Sequence, residues 1–170
     1  MAVQPGFRPV NNMTRQGPGH EKEFFQIGPN ASTTKCLPGI AVVMDTTDNY
    51  VKEYGSSGGK VIGFLSYENS PDKPATIDTP FKPGDWVAVE RGAGKSIRAR
   101  LATGENVAIG QELKVTTDGY LAAATINGVK AVDESGSATV STGNDDIIAD
   151  AEHSVNASSA AAPIWILTRK

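Results

Sequence analysis

Cys36 is the one thiol in the 170-residue chain, and His20 and His153 are the only imidazoles that could activate it. A nucleophilic cysteine needs a base or a cationic neighbour to hold it as thiolate. Both histidines lie in polar, poorly patterned stretches, so Cys36 reads as a small buried or half-buried thiol. A single cysteine forms no intrachain disulfide, and a structural zinc site needs three or four Cys/His ligands. The string Gly92-Ala93-Gly94-Lys95-Ser96 ends like a phosphate-binding loop. The full pattern wants a glycine where Val89 stands, and a helix afterwards whose N–H groups face the anion. Residues 96–101 instead alternate with period two, as a strand does, so the glycines read as turn residues. Paired carboxylates occur at Asp145-Asp146, Asp133-Glu134 and Glu21/Glu23. Glycosidic chemistry needs two acids facing one another across a cleft, and acids in Gly/Ser-rich loops read as solvated. Asn144-Asp145-Asp146 lacks the alternating spacing of a calcium loop. The expectation is a protein that is not an enzyme and holds no metal or cofactor.

What remains is chemistry of contact. Arg98 and Arg100 project from one face of a strand candidate. They are either a solvated face or a small basic patch meeting an acidic partner surface. Phe7 and Arg8, then Phe24 and Phe25, lie in an N-terminal stretch interrupted by Pro5, Pro9, Gly17, Pro18, Gly19 and Pro29. If that stretch wraps a neighbour, its rings are the natural anchors. Trp86 and Trp165, the largest hydrophobes, are expected to anchor the core. Net charge is -3 and the sixteen basic residues form no long run, so no nucleic-acid partner is expected. No window approaches the roughly 18 apolar residues of a spanning helix, so no membrane is expected. The opening MAVQPGFRPV lacks the apolar stretch of a secretory signal, which predicts synthesis in a cytoplasm.

Eighteen glycines and ten prolines favour many turns. Residues 1–35 read as an extended arm and 36–170 as the folded domain. Strand candidates fall at 40–44, 61–67, 86–89, 96–102, 107–109, 113–115, 120–124 and 164–167. Residues 70–83, with four prolines, read as loop or edge. The stretch 127–143 reads as a hairpin, and the alanine-rich 145–162 is the only helix-compatible region. No repeat of fixed period is visible. Turns every eight to twelve residues predict an all-β fold, a small β-barrel or β-tulip/sandwich, with one short Ala-rich helix near the C-terminus and the extended N-terminal arm.

The succession Phe81-Lys82-Pro83-Gly84-Asp85, a hairpin, Asn106-Val107-Ala108-Ile109-Gly110-Gln111-Glu112-Leu113, then Thr116-Thr117-Asp118-Gly119-Tyr120-Leu121 and a last apolar strand resembles small capsid decoration (cement) proteins of tailed viruses. The likeness covers about residues 80–170 and is one of pattern. It implies a β-barrel or β-tulip domain on the outer capsid surface of a virion, bound to the major capsid protein. It also implies a homo-oligomer, a trimer above all, that bridges capsomers. The arm and the proline-rich loop are not features of that likeness. Three other readings stay open. One is a non-viral ligand- or carbohydrate-binding β module using Tyr50, Tyr54 and Tyr67. The others are an enzyme on a β-barrel and a phage tail or baseplate component.

Overall fold

The computed structural model describes residues 21–46, 49–56, 58–124 and 147–169, and every helix or strand among them is a strand. Glu21–Ile27 (β1), Ala41–Met44 (β2), Tyr50–Glu53 (β3), Gly63–Ser66 (β4) and Trp86–Arg91 (β5) close into a barrel in the order β1-β3-β2-β4-β5. Alternate side chains turn inward, as the strand period requires. Phe25, Ile27, Val42, Val51, Leu65, Val87 and Val89 meet there, joined by Cys36, Ile40 and Phe81. The arm expected at 1–35 is therefore corrected over its second part. β1 pairs with β5 along six residues and with β3 in parallel, so residues from 21 onward are a wall of the barrel. Phe25 and Ile27 supply the buried apolar area that offsets the ordering of this segment. The remainder of the arm lies outside the described residues.

A second barrel follows rather than a continuation of the first. It is built from Ser96–Leu101 (β6), Glu112–Val115 (β8), Leu121–Ala123 (β9), Ala149–Ala151 (β10) and Ala162–Thr168 (β12). Asn106–Val107 (β7) and Val155–Asn156 (β11) form a separate two-stranded ladder. The expected Ala-rich helix is not found in the described part of 145–162, which holds β10 and β11 and the start of β12. Ala149 and Ala151 are buried two residues apart, as strand positions. Asn156 Oδ1 accepts the Ser158 N–H, one of the local side-chain bonds that draw Asn and Ser away from helix. The hairpin expected at 127–143 lies outside the described residues.

The two barrels share one topology. Taking β1 to β5 in turn against β6, β8, β9, β10 and β12, each has its first strand parallel to the third and antiparallel to the last. Registers agree as well: Ile27↔Val51 matches Leu101↔Leu121, Phe64↔Glu90 matches Asp150↔Leu167, and Leu65↔Val89 matches Ala151↔Ile166. The turn after the second strand is held by Asp45 N–H on Tyr50 O in one barrel and Thr116 N–H on Tyr120 O in the other. Asn49, at φ 66°, stands where the second barrel has Gly119 at φ 80°. The first barrel seats on the second through residues 38–41 and β4. Ala41 N–H donates to Gly119 O, Arg100 N–H donates to Gly39 O, and Ala41 and Phe64 enter the second barrel's core.

Candidate interaction surfaces

Arg98 and Arg100 leave β6 on the same face, yet their surroundings differ. Arg98 is exposed, whereas Arg100 is 9% exposed. The Arg100 guanidinium donates from Nε to Pro38 O at 2.7 Å and from Nη2 to Ile77 O and to Asp78 Oδ1, the last at 2.9 Å. The proline-rich loop and the 38–39 turn thus close over it, and a joint basic patch does not form. Arg100 fastens the seam between the barrels. Phe25 points into the first core, while Phe24 is half-buried on the outer wall of β1. Phe7 and Arg8 lie outside the described residues.

Sequence reasoning missed the neighbour of Arg98. Trp165, expected in the core, is 48% exposed, because Ile164, Ile166 and Thr168 take the inward positions of β12. It lies directly across from Arg98, and Glu152 N–H bonds its carbonyl from the other side. Leu167, two residues on, is also exposed. The outer face therefore carries Trp165 and Leu167 as an apolar stripe flanked by Arg98 and Glu152. The alternation Pro163-Ile164-Trp165-Ile166-Leu167 was the available signal, but a run with no polar residue does not say which set faces in.

The loop that resembles a phosphate cradle is tied down by the strands beside it. The residues after it form β6 rather than a helix. Gly94 N–H donates to Thr168 O at 2.7 Å, Lys95 N–H to Thr168 Oγ1 at 2.9 Å, and the Lys95 ammonium pairs with Glu90. A cavity of about 650 Å³ opens beside it, lined by Lys60, Val61, Ile62, Phe64, Arg91 and Ile148 among others. Its Glu90 wall is held by Lys95 and by Asn69 Nδ2 at 2.6 Å.

Cys36 is fully buried, and its thiol donates to Glu53 Oε2 at 3.2 Å. Burial, then the Glu53 carboxylate, push its pKa far above the usual thiol value. That is the reverse of what a nucleophile needs. At Asp45, burial works to raise the carboxyl, but the Thr46 N–H, the Lys52 ammonium at 3.1 Å and the Asn30 amide outweigh it and hold the pKa below the ordinary value. Both groups tie turns to the first barrel. Among the described residues no cluster of three or more His, Cys, Asp or Glu could hold a metal ion, and no helix is long and apolar enough to cross a membrane.

Compared with known proteins, the chain matches no family model and no curated sequence.

Proposed function

We propose that this chain is a structural virion protein that binds the outside of a tailed-virus capsid and stabilises the shell by bridging capsomers. The observation that carries the reading is the Trp165–Leu167 stripe with Arg98 at its side, standing exposed on a closed, internally paired barrel wall. Trp, with Arg nearby, is the composition of an energetic anchor at protein interfaces. A strand buried on one side presents these groups at low conformational cost. The partner is the major capsid protein, and binding energy added only to the assembled shell favours that state by mass action. The sequence pattern over residues 80–170 supports the same class, and with it a homo-oligomeric, trimeric form. Gradient-purified particles of the virus that encodes the chain test this. Stoichiometric presence on heads, with antibody access from outside, is the expected result. Absence from particles, or confinement to tails, overturns it.

A further inference from the structure

The seam between the barrels is heterologous: the two sides offer different surfaces. The first barrel contributes residues 38–41, β4 and the loop at 77–78, and the second contributes β6 and the turn at 116–120. Since the barrels repeat one topology in register, each contributed surface has a counterpart that the seam leaves uncovered. The counterpart of Pro38-Gly39 is Ile109-Gly110. Gly39 and Gly110 share a positive φ, 88° and 78°, and their N–H groups make the same bond, to Leu65 O and Ala151 O at 2.7 Å each. Ile109 is 69% exposed, the most exposed large hydrophobic among the described residues. On the receiving side, Arg98, Arg100 and Tyr120 correspond to Phe24, Gln26 and Tyr50, all half-buried. Gln26 pairs with Tyr50 on one side and with the half-buried Trp86 on the other. Within the chain, Tyr120 packs against the first barrel's core cluster, which shows what such a ring does when the surface is covered.

We propose that the Ile109 corner of one copy docks on the Phe24, Gln26, Tyr50 and Trp86 surface of the next. This head-to-tail contact repeats between chains the seam made within one. It names the interface of the homo-oligomer in the proposed function, and it concerns the isolated protein, so capsid binding can fail while it holds. Two differences from the seam set its strength. The Gln26 N–H already donates to Asn49 O at 3.1 Å, so the backbone bond made by Arg100 has no equivalent and the contact has one backbone bond fewer than the seam. Glu112 and Asp150 stand where the seam has Ala41 and Phe64, and Arg169 neutralises both at 2.7 and 2.5 Å. The intermolecular contact is therefore more polar than the seam and dissociates on dilution. A heterologous contact of this kind closes into a ring or extends as a chain.

Sedimentation of the full chain from micromolar to millimolar concentration should show reversible association. Ile109→Asp, a surface change, should weaken it by roughly tenfold or more with an unchanged urea midpoint. Cysteine pairing then tests the geometry, since the native Cys36 is buried. A mixture of Ile109→Cys and Gln26→Cys proteins should yield the 109–26 disulfide between chains well above either homodimer. A monomer at every concentration, association unaffected by Ile109→Asp, or dominant 26–26 or 109–109 pairing each overturns the proposal.

Discussion

Arg100 and Arg98 show how two like residues on one strand face acquire different work. Arg100 reaches three acceptors in the loop and turn that cover it. Arg100→Ala should strand the Pro38 and Ile77 carbonyls and cost about 2–4 kcal/mol in urea unfolding, as expected when a buried hydrogen-bonded charge is removed. Arg98→Ala should stay within about 0.5 kcal/mol, the usual range for surface changes. Asp45 gives a pH signature. Its folded pKa is depressed, so its stabilisation is fully present above the unfolded carboxyl value of about 3.9 and is lost as pH falls through the lower folded value. Asp45→Asn should remove about 1–2 kcal/mol near neutrality and flatten the acid limb of the stability curve. Native Cys36 should resist alkylation until the chain is unfolded, because the thiol is buried and its pKa raised.

At the scale of elements, turns were far more legible than the identity of what they join. Pro38-Gly39, Pro83-Gly84-Asp85 and Thr117-Asp118-Gly119 announce themselves by residue type. β5, β6 and β8 follow from alternation between such turns. β1 was hidden because Glu21, Lys22 and Glu23 look solvent-bound, and only partners more than twenty residues away make the segment a strand. The helix expected over alanines yielded to tertiary pairing, which overrides weak local propensity. The repeat escaped detection because register, rather than residue identity, is what the barrels share. Thr46-Thr47-Asp48-Asn49-Tyr50 and Thr116-Thr117-Asp118-Gly119-Tyr120 are its clearest trace in the sequence. The turn positions differ in a testable way. Gly119 has φ 80°, and a Cβ there would meet Ala41 O at 2.9 Å. Gly119→Ala should therefore destabilise by more than about 1 kcal/mol, whereas Asn49→Gly should change stability by no more than a few tenths, both measured by thermal or urea unfolding.

For the whole molecule, the two barrels are one folding unit, since Ala41 and Phe64 of the first lie in the core of the second. Far-ultraviolet and near-ultraviolet dichroism should report coincident unfolding transitions, and separated transitions would contradict a shared core. The exposed stripe was the least legible feature of all: the sequence marks Trp165 as a core anchor, and only the pairing of β12 with β6 turns it outward. The capsid-binding reading rests on that outward face. The most direct measurement is co-sedimentation of purified chain with capsids stripped of it, comparing the native protein with Trp165→Ser. The native chain should pellet with the shells and the variant should lose affinity by roughly tenfold or more, with its fold intact. Equal pelleting of both proteins, or of neither, would contradict the account.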